Sequence, residues 1–154
     1  MTAFSVSLFG HRELCDLHQV DMRLTPIINN LLQNKSLVVF LIGRNGEFDE
    51  YAASVIKRAQ RRVRNDNSDL SLVLPYEVAN LQYYEKYYDS IIIPEAVNGV
   101  HPKSAIVLKN RWMVEQSDLV IVCVERNKGG AYEAMKYAQS LNKEIINIYE
   151  YKTE

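Results

Sequence analysis

Leu119-Val120-Ile121-Val122-Cys123-Val124 is an unbroken apolar run that stops at Glu125 and passes into Arg126-Asn127-Lys128-Gly129-Gly130-Ala131-Tyr132-Glu133. The run is far too short to span a membrane, and its branched side chains favour an extended backbone. A strand that is apolar at every position has no face for water. It therefore belongs in a sheet covered on both sides, the usual condition of parallel strands joined by helices.

Working outward, further β-type stretches occupy residues 3–9, 37–42, 70–74, 90–93 and 145–149. Segments of helical period lie between them. Residues 16–33 align Leu17, Val20, Leu24, Ile27, Ile28 and Leu31, and 47–64 align Ala52, Val55, Ile56, Ala59 and Val63. A weaker helix is expected over 77–88. Another over 102–117 turns Ile106, Val107, Met113 and Val114 inward, and a last one over 130–141 groups Ala131, Ala134, Met135, Ala138 and Leu141. Alternating strand and helix predicts right-handed βαβ units. The expected fold is α/β: a Rossmann-like, doubly wound, mostly parallel sheet of five to six strands with helices on both faces. No repeat or linker divides the chain, so residues 1–154 read as a single domain. The irregular stretch 94–102, with its Asn98-Gly99 turn signal, reads as a loop that can move beside a pocket.

Composition narrows the function classes. Hydrophobic residues make up 47% and charged residues 24%, the balance of a globular chain rather than a disordered one. Met1 to Phe9 lack the features of a secretory signal, so a cytoplasmic location without membrane attachment is expected. Cys15 and Cys123 have no metal-ligand spacing, and neither a disulfide framework nor a metal site is expected. A net charge of −1 supplies no global positive field, which makes nucleic acid an unlikely partner on this reading. The basic run Lys57, Arg58, Arg61, Arg62 and Arg64 faces away from the apolar stripe of its helix and reads as a solvated surface, with a nucleic-acid patch as the alternative.

Ligands of open α/β sheets bind beyond the carboxyl ends of the strands, and here those positions are polar and glycine-bearing. The first strand is followed by Gly10-His11-Arg12, which can bring backbone, imidazole and guanidinium to an anion or simply form an exposed turn. The second is followed by Gly43-Arg44-Asn45-Gly46-Glu47-Phe48-Asp49, entering a helix whose amides and dipole favour a phosphate. Its spacing is neither a P-loop nor a dinucleotide fingerprint. Glu47 and Asp49 can cap that helix, or one can hold a ribose hydroxyl. Gly129-Gly130 repeats the arrangement after the fifth strand, with Glu133 in the first helical turn facing the pocket or favouring the dipole. Arg111, on the preceding helix, can reach an anion or pair with a surface acid. Tyr83, Tyr84, Tyr87 and Tyr88 offer base stacking, a dimer contact or packing on the sheet edge, and a homo-oligomer is expected. No nucleophile motif is present.

Taken in order, Gly10-His11-Arg12, Gly43-x-x-Gly46-x-Phe48-Asp49 with Ala52-Ala53, Arg111 ahead of Ser117-Asp118-Leu119-Val120, and Gly129-Gly130 resemble the SLOG superfamily. More narrowly they resemble its bacterial branch marked by a Gly-His-Arg opening. The resemblance runs from Phe4 to about Ile148. It implies a Rossmann-like domain that binds nucleotides or nucleotide-sugar derivatives, among relatives that include the LOG phosphoribohydrolases, sensor domains and DNA-binding proteins. In the LOG enzymes an arginine before the fifth strand and a glutamate in Gly-Gly-x-Gly-Thr-x-x-Glu carry catalysis. Arg111 matches the first, but the glutamate position falls on Lys136, leaving Glu133 only if the helix register shifts.

The leading expectation is a domain that binds or senses a nucleotide or nucleotide-derived molecule without a cofactor. Gly10, His11, Arg12, Gly43, Gly46, Asp49, Gly129 and Gly130 are its binding residues. The alternatives are a hydrolase of a nucleotide N-glycosidic bond using Arg111 and Glu133, and a DNA-associated or oligomer-forming module.

Overall fold

A computed structural model describes residues 2–13 and 16–150; Cys15 lies outside the described residues. The strands are β1 (Phe4–Gly10), β2 (Val38–Ile42), β3 (Ser68–Val73), β4 (Ser90–Ile92), β5 (Leu119–Cys123) and β6 (Glu144–Asn147). The helices are α1 (Leu17–Asn34), α2 (Glu47–Arg62), α3 (Leu81–Tyr87), α4 (Pro102–Gln116) and α5 (Gly130–Ser140). All six strands pair in parallel in the order β4-β3-β2-β1-β5-β6. The Rossmann-like α/β architecture expected from the alternation is therefore the observed one. Among the described residues no helix is long and apolar enough to cross a membrane.

The period-2 geometry of strands sorts the core into two layers. Val6, Leu8, Phe40, Ile42, Leu70, Leu72, Leu119 and Ile121 face α1 and α2. Phe9, Leu41, Val73, Val120 and Val122 face α4 and α5. The run that opened the sequence analysis is buried at every position of β5, as a central strand clad on both sides must be. Asp16 caps α1 by accepting the Gln19 amide, and Pro102 starts α4 where its missing N–H is harmless.

Three local expectations differ from the structure. The third helix is confined to Leu81–Tyr87: 77–78 are irregular, 79–80 form a turn, and Asn80 makes no side-chain cap for α3. Residues 94–102 hold a 3-10 turn, Glu95–Val97, whose buried Val97 packs toward α4; the segment is anchored and does not line the pocket described below. On α4, Val107 is 50% exposed and Ile106 half-buried, while Ala105, Lys109 and Asn110 take the inward positions.

Candidate functional site

β1 is the strand at which the chain reverses its direction of growth across the sheet: β2 lies on one side of it and β5 on the other. The loops leaving β2 and β5 diverge there and leave a crevice above the end of β1. A cavity of about 460 Å³ occupies it. Its walls are Leu8 to Arg12 from β1, Gly43, Asn45 and Asp49 from the β2–α2 turn, Ile106, Lys109 and Asn110 from α4, and Arg126 with Lys128 to Ala131 from the β5–α5 turn. The two glycine turns do converge on one space, although β1 separates the strands that carry them.

The turns are not equivalent, and the difference is steric. A Cβ on Gly10 would stand 2.1 Å from the Phe48 ring, and one on Gly46 would stand 2.6 Å from the Arg12 backbone. These glycines exist because other parts of the protein pass over them. The amides at the head of α2 are also occupied: Asn45 N–H donates to Asp49 Oδ2 at 2.8 Å and Glu47 N–H to the Arg12 carbonyl at 2.9 Å. At the expected phosphate cradle the Asn45 and Glu47 amides are thus taken by protein and Gly46 is crossed by Arg12, while Gly43 stays in the cavity wall.

The second turn is open. Gly129, with φ +96°, has nothing within 4 Å of a would-be Cβ, and at Gly130 only the Asn110 side-chain nitrogen approaches, at 3.7 Å. Gly129 caps α5 without a side chain, so the first-turn amides of that helix face the crevice without an intrahelical partner. This is the one of the two turns that can hold an anion by its backbone.

His11 is buried and acts as a brace. Its Nε2 accepts the N–H groups of Glu125 and Arg126, each at 3.0 Å, so the ring proton sits on Nδ1. Burial, and then the nearby Arg126 guanidinium, lower its pKa and keep the imidazole neutral. The Nε2 contact fixes the β5–α5 turn, and the ring itself stands in the cavity wall.

Lys109 and Asn110 are the residues that sequence reading missed. Lys109 is only 1% exposed, yet it lines the cavity with Nζ close to Gly43. Desolvation lowers its pKa to about 8, partly offset by Asp49. Asp49 faces it across Gly43 without closing an ion pair, and burial raises that carboxyl to about 6 against the opposing pull of the Asn45 amide and Lys109. Asn110 Oδ1 is buried with no hydrogen-bond partner among the described residues. A sequence signal for the lysine was available: Ala105, Lys109 and Met113 recur at four-residue spacing, so Lys109 stands in a core stripe where a charge needs a reason.

Arg12, Lys109, Arg126 and Lys128 surround the cavity against a single acid, Asp49, so the local charge is positive in a chain whose net charge is −1. Arg111 and Glu133 lie elsewhere. They line an adjoining groove between α4 and α5, which shares Ile106, Asn110 and Gly130 with the crevice; there Arg111 rests over the Tyr137 ring at 5.2 Å, and both side chains are exposed. The structure does not bring the two expected catalytic residues to the crevice.

No family model matches the sequence, and no curated relative matches it. Solved structures do. DNA processing protein A from Streptococcus pneumoniae superposes with a TM-score of 0.66 at 15% identity, over 93% of this chain and 49% of its own. DNA processing protein A from Helicobacter pylori, whose single-stranded DNA binding mode has been described, gives 0.63 at 16% identity over 94% of this chain and 64% of its own. The molybdenum cofactor binding protein of the phototrophic bacterium Rippkaea orientalis gives 0.61 at 18% identity over 94% and 76%. This chain therefore spans about half to two thirds of the two DNA-processing proteins. The likeness is one of fold, and it is the Rossmann-like fold that the SLOG resemblance implies.

Two expectations are corrected by this comparison. Net charge makes nucleic acid an unlikely partner, but the same fold serves a protein that binds single-stranded DNA, and the charge that matters here is local. The reading as a binder or sensor of a free nucleotide gives way to the DNA-associated alternative, which these neighbours favour.

Proposed function

We propose that residues 1–154 act as a single-stranded-DNA-binding domain of SLOG type, of the branch that opens with Gly10-His11-Arg12, and that the strand is held at the crevice above β1. The observation that carries this reading is the excess of cations around the cavity: Arg12, Lys109, Arg126 and Lys128 against Asp49, with the uncapped amides of α5 in the same wall. Backbone phosphates are the ligand chemistry that such a wall selects, since affinity for DNA comes first from phosphate neutralisation.

A stacking partner lies nearby. Arg44, next to Gly43 of the cavity wall, sits over the Tyr84 ring at 5.4 Å, and Tyr83 beside it is 69% exposed. Cations interleaved with aromatic rings hold unpaired bases without reading their sequence. The arginine run of α2 has no part in this reading. Arg58 is tied to Asp21 at 2.6 Å, Lys57 to the Tyr87 carbonyl at 2.9 Å and Arg64 to Asp66 at 2.8 Å.

Fluorescence anisotropy with a labelled oligo-dT strand and its duplex, titrated at several salt concentrations, tests the reading. Binding of the single strand that weakens steeply with salt is expected. Absence of binding at low salt by folded protein overturns it.

A further inference from the structure

Resting on that reading, we propose that the crevice is a receptor for the terminal phosphate of a strand, and that Lys109 and Asn110 are the residues that distinguish an end from a continuous backbone.

The wall leaves two polar groups unsatisfied. Among the described residues Lys109 has no hydrogen-bond or ion-pair partner for the ammonium it brings to the cavity, and its neighbour Asn110, in the same wall, has a buried acceptor, Oδ1, without a donor. An unmet buried polar group is destabilising, so both await a ligand that brings an acceptor and a donor together. They stand on opposite sides of the crevice: Lys109 beside Gly43 of the β2 turn, Asn110 beside Gly130 of the open turn.

A bridging phosphodiester answers only half of this demand. It carries one negative charge, two free oxygens and no proton, so it satisfies Lys109 and the α5 amides but leaves Asn110 Oδ1 facing another acceptor. A terminal monoester has three free oxygens and a charge of about −1.5 to −2 at neutral pH, with a second ionisation near pH 6. Its third oxygen and added charge let it take Lys109 Nζ and the amides around Gly129 and Gly130 together, and in its singly protonated form, which predominates below that second ionisation, its proton can be donated to Asn110 Oδ1. Depth points the same way. A lysine buried this fully is reached by a group that enters the crevice once; a continuous strand has to enter and leave.

The test compares one oligo-dT sequence in four forms: 5′-phosphorylated, 3′-phosphorylated, unphosphorylated, and closed into a circle. One phosphorylated end is expected to bind roughly tenfold or more tightly than the hydroxyl-ended and circular strands, as expected for a charge-assisted contact. Asn110→Leu and Lys109→Met, both apolar replacements at buried positions, are expected to abolish the difference between the four forms, and Lys109→Met is expected to weaken all four as well, since it removes one of the cations of the wall. Equal affinity for all four forms overturns the end-receptor proposal and leaves single-strand binding standing. A preference that survives both substitutions overturns the assignment to this crevice. No binding of any form removes both readings.

Discussion

The ammonium of Lys109 stands 2.8 Å from the point where residue 43 would carry a Cβ, so the missing side chain of Gly43 is what admits the lysine to the crevice. Asp49 Oδ2 lies 3.3 Å from the same point. Charge and counter-charge are arranged around one glycine.

Gly43→Ala should therefore act on binding more than on folding. Its new methyl meets the far end of a flexible side chain, which can withdraw. At Gly10 the obstacle is the Phe48 ring, packed in the core. Gly10→Ala is expected to destabilise by about 1–3 kcal/mol, lowering Tm by roughly 3–10 °C. Thermal melts and DNA titrations of the two variants should separate cleanly, with Gly43→Ala near-native in the first and impaired in the second.

Asp49 gives stability an unusual pH dependence. Its carboxyl titrates at 3.8 when solvated and at about 6 when folded, so the folded state holds the proton more tightly. Stability from this group is present below pH 3.8 and is lost as pH rises through 6. At about 1.4 kcal/mol per pKa unit this amounts to about 3 kcal/mol. Asp49→Asn retains an acceptor for the Asn45 amide and removes the charge. It should be at least as stable as the parent at pH 7.5, and urea denaturation from pH 7 to 4 should show the parent closing that gap.

His11 works in the opposite sense. A lowered folded pKa means that the unfolded chain binds the proton more readily, so this contribution is intact above pH 6.5 and falls as pH drops below it. Protonation also replaces the Nε2 acceptor by a donor facing two N–H groups. His11→Ala should loosen the 125–129 turn at every pH and flatten the acid-side loss. Amide hydrogen exchange at Glu125 and Arg126, compared at pH 7.5 and 5.5, reads this directly.

Charge reversal distinguishes the crevice from the arginine run. Arg126→Glu with Lys128→Glu should weaken single-strand binding at least tenfold and make the salt slope shallower by about 2. Arg61 and Arg62 sit in the last turn of α2, about 20 Å along the helix axis from the crevice end. Their reversal should change affinity by less than about twofold. Arg111→Ala, confined to the outer groove, should behave like the latter pair.

The sheet was readable because its signal is periodic and redundant. β5 announced its central place by lacking any polar residue, and the stripes of α1 and α2 recur as the buried residues of those helices. The site was readable only in outline. Gly129 and Gly130 were found, but Gly10, Gly43 and Gly46 look the same in sequence whether their space is left for a ligand or taken by Phe48, Lys109 and Arg12. That distinction depends on which loops cross which, and no local pattern encodes it. Lys109 was overlooked because α4 was assigned its inner face from its aliphatic residues, while the helix turns a lysine and an asparagine toward β1. Local charge at the crevice was likewise hidden by a balanced total.

The position of β1 also constrains the order in which this molecule can be made. Val6 pairs with Phe40 on one side and with Leu119 on the other, so half of the first strand's partners are synthesised long after the other half. Until then β1 presents a bare edge and the crevice has one wall. Polypeptides that stop short of β5 should therefore be aggregation-prone rather than merely inactive, and the capacity to hold a ligand arises in a single late event, when the second wall docks.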